Sequence, residues 1–152
     1  MKKQLEIATI KANSTDFHGW EIFWVLSKNQ LELLFKEVEM FSSSPALVTA
    51  KYQDDLLPVV NLENYYGLEV RKRNNLPKYL VVRSVNEKKE LVRFIIEIPQ
   101  KYTLQKLATG IETLQAPMMA RNGENVLGLY ALAPGQLGVV PDFVRIGQSL
   151  QL

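Results

Sequence analysis

Short apolar runs separated by polar or turn-forming residues recur along the chain from Trp20 onward. WEIFWVLS is apolar and β-prone, SKNQ interrupts it with turn residues, and LELLFKEVEMF resumes it. Two such runs across a short polar turn predict a hairpin. The second run alternates at Leu31, Leu33 and Phe35, then resumes one residue out of phase at Val38 and Met40. A phase slip at Lys36-Glu37 predicts a β-bulge, because one extra residue flips the face that each following side chain takes. A short helix over the same residues is the alternative. FSSSP reads as a loop. ALVTAKY and LLPVVNL read as two further strands joined by a turn at Gln53-Asp54-Asp55, where short polar side chains bond nearby backbone amides. Pro58 donates no ladder hydrogen bond, so its strand is an edge or its missing N–H faces no partner. ENYYGL predicts one helical turn, with Gly67 as its left-handed terminator.

EVRKRNNLP is a connecting loop that divides the chain into near-equal parts. Beyond it, KYLVVRSV and ELVRFIIEI are Val/Ile-rich strands around the turn NEKK. GIETLQAPMMA and NVLGLYAL flank Asn122-Gly123, a strong hairpin signal because both residues tolerate positive φ. Pro141-Asp142 predicts the start of a short final helix. About nine strands with turn chemistry between them and little helix indicate a mainly β fold of barrel or sandwich type. The halves around the 71–77 loop point to two small barrels sharing one core. The stretch 1–19 is weakly patterned and predicts a tail or an added edge strand; residues 20–152 form the domain.

Composition narrows the chemistry. The chain has 152 residues, 47% hydrophobic and 22% charged, which suits one domain with its own core. It has no cysteine, which excludes disulfides, thiolate nucleophiles and cysteine-ligated metals. Lys2 and Lys3 open the chain as in a signal peptide, but Glu6, Thr9 and Lys11 break the apolar run that should follow. No stretch of 18 apolar residues exists, so the expectation is a cytoplasmic protein without membrane insertion. A net charge of +2 gives no reason to expect nucleic acid. Arg71-Lys72-Arg73 reads as a solvated loop in preference to a phosphate patch. His18, the only histidine, stands before a glycine with no nucleophile elbow elsewhere to serve, so it reads as a turn residue. Asp54 and Asp55 are adjacent and would point to opposite faces of a strand, which suits a turn better than shared acid–base work. No phosphate loop, metal cluster or cofactor motif appears, and no catalytic residue, metal or cofactor is expected. Trp20, Phe23, Trp24 and Phe35 read as core. Met118-Met119, beside Pro117, reads as core filler or an adaptable contact surface.

LELLFKEVEMF, a loop, and then LLPVVNLENYYGL together resemble the first half of CheW-like domains, the coupling proteins of bacterial chemotaxis. Phe35-Lys36-Glu37-Val38 is similar to that family's Val-x-x-Val bend. Pro58-Val59-Val60-Asn61-Leu62, with Gly67 further on, is similar to its Pro-Val-Val-Asp-Leu segment, short helix and glycine. KYLVVRSVNEKKELVRFIIEI resembles the next hairpin, and NVLGLYAL with the final element resembles the closing strand and end. The departures are Gln53 and Asp54 where the family usually has Arg-Gly, and Asn61 for its Asp. Replacing Arg removes a charged five-donor fork from the surface the family uses for partners. The resemblance implies two five-stranded SH3-like barrels sharing a core, with short helical segments. It also implies a non-catalytic adaptor coupling a chemoreceptor to the regulatory domain of a histidine kinase, in chemotaxis or in a motility pathway. The implied partner-contact residues are Val38, Met40, Gln53, Asp54, Asp55 and Leu57, and a Leu57→Glu test of that contact assumes a solvent-facing Leu57, the alternative being a core position. Two other readings are a diverged β-barrel module binding a small molecule or nucleic acid, and an enzyme using Asp54, Asp55 and His18.

Overall fold

The computed structural model describes residues 4–15, 19–44, 47–72, 76–99, 102–108 and 122–150. Its elements are β1 (Gln4–Lys11), β2 (Ser14–Thr15), β3 (Glu21–Ser27), β4 (Leu31–Phe35), β5 (Met40–Ser44), β6 (Leu47–Tyr52) and β7 (Asp55–Asn61). After these come helix α1 (Leu62–Tyr65), β8 (Val70–Lys72), β9 (Lys78–Val85), β10 (Leu91–Ile98) and β11 (Thr103–Ala108). The chain ends in β12 (Val126–Ala133), β13 (Gln136–Pro141) and helix α2 (Phe143–Ser149). The protein is mainly β, as the runs predict. One sheet has the order β11-β1-β3-β13-β12, a second β4-β9-β10-β7-β6-β5, and β2 pairs with β8.

The second sheet is rolled. Its two edges, β4 and β5, are consecutive in sequence and separated only by residues 36–39. Six flat strands would hold their edges about 24 Å apart, whereas that connection reaches about 18 Å when fully extended. The chain therefore carries β4 around into β5 through residues 36–39, and the six-stranded sheet curls into an SH3-like unit. No ladder among the described residues closes it completely. The roll encloses Ala50, Tyr52, Leu57, Val81 and Ile95, with Phe35, Val38, Val59 and Tyr79 packed around them.

Period-two alternation sends the neighbours of these residues the other way. Leu80, Val82, Phe94 and Ile96 leave the roll and meet Ile10, Trp24 and Leu26 of the first sheet in the main core. Trp24 stacks on Tyr66 with ring centroids 5.6 Å apart, and Phe94 meets Phe143 of α2 edge-on at 5.3 Å. The two units thus share one core. Because β9 and β10 are covered on both faces, they read as near-continuous Val/Ile runs.

Several local expectations hold. The helical turn expected over ENYYGL forms as α1, and Asn61, not foreseen as its cap, accepts from the Asn64 N–H at 2.9 Å, a task that Asn and Asp perform equally well. Gly67 has φ 70° at the helix exit. Asp142 caps α2 through the Arg145 N–H. Trp24 is core, with Trp20 and Phe35 packed against the two clusters and Phe23 half-buried.

Other expectations need correction. Within the 1–19 stretch, Gln4–Lys11 is an interior strand and no added edge: β1 is paired with β11 on one side and β3 on the other. The expected hairpin of β3 and β4 does not form, because residues 28–30 make a single 3-10 turn that carries the chain from one sheet to the other. The phase slip at Lys36-Glu37 is real but is a break between strands; the register irregularity falls between Leu31 and Leu33. FSSS is strand β5, and Val70–Lys72 of the expected loop is strand β8. Of the two alternatives for Pro58 the second holds, because it lies on an interior strand with no ladder partner for its nitrogen. Tyr52 and Asp55 flank a two-residue turn, so alternation makes Thr49–Pro58 a non-hydrogen-bonded pair, while the β10 ladder begins at Val59. Asn122 has φ 55°, but Gly123 opens a 3-10 turn, and the partner strand expected before it lies outside the described residues, as do His18, Arg73 and Met118-Met119.

Candidate interaction surface

The turn between β6 and β7 is the centre of the predicted contact region. Gln53, Asp54 and Asp55 are all exposed. Gln53 has φ 55° and Asp54 does not share that sign, the pattern of a type II′ turn whose first position glycine normally fills. A left-handed non-glycine residue costs roughly 1–2 kcal/mol, partly offset by the greater freedom of glycine in the unfolded chain. Gln53→Gly should therefore stabilise the protein by about 0.5–1 kcal/mol, raising Tm by roughly 2–3 °C in a thermal melt.

Below the turn, Asp55 joins a charged cluster across the mouth of the roll. Arg93 on β10 contacts Asp55 at 3.1 Å and Glu32 on β4 at 3.4 Å, and its guanidinium lies 5.8 Å from the Tyr52 ring centroid. The Glu32 carboxylate, by accepting the Tyr52 hydroxyl proton in a hydrogen bond, pushes that phenol above its ordinary value, and burial adds to the shift. Arg93 therefore braces three strands, reaching from β10 to Asp55 on β7 and Glu32 on β4. Asp55 is thus held in an ion pair at the foot of the turn, while Asp54 stands exposed at its tip.

The register then decides which neighbours can meet a partner. Met40 pairs with Ala50 and Ala50 with Leu57, so this row faces into the roll. The adjacent row, Phe41, Thr49 and Pro58, faces outward, as does the row with Lys51 opposite Leu56. Leu56 is 59% exposed and Phe41 41%, whereas Leu57 is 8% exposed. Two large apolar side chains thus stand on the outer face of β5, β6 and β7 with Thr49 and half-buried Pro58 between them. Leu57 is not solvent-facing, which corrects the expectation placed on it. Val38 likewise packs against the inner cluster, and Met40 shares the inner row yet remains exposed. Phe41 closes the bend from Val38 that the sequence pointed to, whereas at the next strand sequence reasoning chose Leu57 where Leu56 is the exposed residue.

No family model matches the chain, and no curated protein matches it. Among solved structures, the scaffolding protein TtCheW from Thermoanaerobacter tengcongensis matches with a TM-score of 0.66. The match covers 91% of this chain and 89% of that one, at 11% identity. The chain has a CheW-like fold. At that identity the likeness is one of fold, as expected for a strongly diverged sequence. The CheW-like fold agrees with the rolled second sheet, the shared core and the terminal helix described above. No helix among the described residues is long and apolar enough to cross a membrane, and no cluster of metal-ligating side chains occurs among them.

Proposed function

We propose that this protein is a non-catalytic cytoplasmic adaptor. It links a chemoreceptor to the regulatory domain of a histidine kinase in a chemotaxis-type or motility pathway. The observation that carries this reading is a CheW-like fold along nine-tenths of the chain, bearing an exposed apolar face on β5–β7. Of the residues expected at the contact, Gln53, Asp54 and Asp55 border this face and Met40 adjoins it. Phe41 and Leu56 replace Val38 and Leu57 as its apolar anchors. Large side chains at the centre of an otherwise polar surface are the usual source of contact energy.

The test is an amide NMR titration with the regulatory domain of a histidine kinase from the same genome. Shifts should cluster at residues 39–41 and 49–58. Leu56→Glu should weaken binding by about thirtyfold, the loss of one anchor worth about 2 kcal/mol. Its stability should stay within about 0.5 kcal/mol of the parent, because the side chain is already in water. Full affinity in that variant, or no shifts at saturating kinase domain, would remove the adaptor reading.

A further inference from the structure

The two larger sheets end in four edge strands, β4 and β5 of the rolled sheet and β11 and β12 of the other. An edge strand presents a row of unpaired N–H and C=O groups, and proteins guard such rows with charges, prolines, short length or bulges. β4 carries Glu32, β5 is five residues long with a run of serines, and β11 carries Lys106. β12 is eight residues long, VLGLYALA, with no charge and no proline. Its two irregularities lie at its ends, between Val126 and Gly128 and between Ala131 and Ala133, so Gly128–Ala131 remains regular. Among the described residues β12 pairs with β13 alone, and no other hydrogen bond reaches its backbone. All of its positions are at least partly exposed, and Leu127 is 65% exposed, whereas β13 beside it is largely buried.

The chemistry of this edge says what fits it. The backbone row calls for another extended strand, held by main-chain hydrogen bonds. Leu129 packs on the shared core and Leu132 lies on the opposite side, against Gly138, so the row is apolar on both faces. The incoming strand must therefore be uncharged and apolar on both faces as well. β12 itself meets that description, and β1, β9 and β10 do not, since each carries charged residues. Antiparallel pairing of two β12 strands about a twofold axis opposes no like charges, because there are none, and it closes at two copies.

We infer that β12 is the interface of a homodimer, in which two copies of this chain join their five-stranded sheets edge to edge and antiparallel. The inference goes beyond the adaptor reading and does not rest on it, since the apolar face of β5–β7 belongs to the other sheet.

The test is sedimentation of the whole chain over a range of concentrations, with amide exchange followed in parallel. The average mass should rise from that of one chain toward twice that value and stop there, with little response to salt, because no ion pair forms across the contact. The outward amides of β12 should exchange freely in dilute protein and become protected as the dimer forms. Leu127→Lys, at a position already in water, should keep the fold and weaken dimerisation by about tenfold, since two lysines then enter one edge contact. Leu56→Glu should dimerise as the parent does, so failure of the adaptor reading and failure of this one are told apart. A single chain at every concentration, growth beyond two copies, outward β12 amides protected in the monomer, or full dimerisation in Leu127→Lys would each overturn the inference.

Discussion

Leu57→Glu should unfold the protein under conditions in which Leu56→Glu leaves it intact, although the two leucines are neighbours. Leu57 sits inside the roll with Ala50, Tyr52, Val81 and Ile95. A glutamate there loses the leucine's transfer energy and buries a carboxylate. Arg93, the cation at the mouth of this cluster, is already held by Glu32 and Asp55. A buried, unpaired charge belongs to the small class of substitutions costing more than about 4 kcal/mol, a large part of the roughly 5–15 kcal/mol that holds a domain folded. Urea unfolding checks the cost, and its pH dependence checks the cause. Burial raises the new carboxyl's pKa in the folded state above its unfolded value of about 4.3. The folded state then binds the proton more tightly, so the penalty is smallest at low pH and grows as pH rises through that value. A variant equally unstable at pH 4 and pH 7 would show that lost packing alone is responsible.

The contrast between these two leucines also marks where the sequence stops being legible. In LLPVV every residue is apolar, so no polar position signals which side chains point outward, and a one-residue choice decides the face. The register supplies the answer through Ala50–Leu57 and Lys51–Leu56. Elements governed by local chemistry were readable: the Val/Ile strands β9 and β10, the helix start at Asp142, and Gly67. Elements governed by distant partners were not. Ile7, Ala8, Thr9 and Ile10 are all buried, because β1 is covered on both faces, and so they show no alternation that would reveal an interior strand. The serines of β5 look like a loop until β6 pairs with them. SKNQ looks like a hairpin turn, yet nothing local tells a turn that reverses a strand from one that passes it to another sheet.

Tyr66→Ala should destabilise the protein by about 3–5 kcal/mol, the range for removing a large buried ring. The ring is fully buried at the junction of the two units, stacked on Trp24 and edge-on to Tyr65 at 5.0 Å. Tyr66→Phe isolates the hydroxyl and should cost only about 1 kcal/mol, because the Asn125 carbonyl keeps its second donor, the Asp142 N–H. The same hydroxyl makes stability sensitive to alkali. Burial first, then the Tyr65 and Asp142 charges, push the Tyr66 phenol far above its ordinary value of 10.0. Below pH 10 both folded and unfolded states keep the proton, and the contribution is complete. Above it the unfolded chain releases a proton that the folded chain retains, so stability falls as pH rises. Tyr52 and Tyr79 are shifted in the same direction and add to the fall. Urea midpoints between pH 8 and pH 11 should therefore decline less steeply in Tyr66→Phe than in the parent, by the share of one proton. Identical slopes would mean that the Tyr66 hydroxyl reaches solvent before the protein unfolds, and that the joint between the two units opens locally.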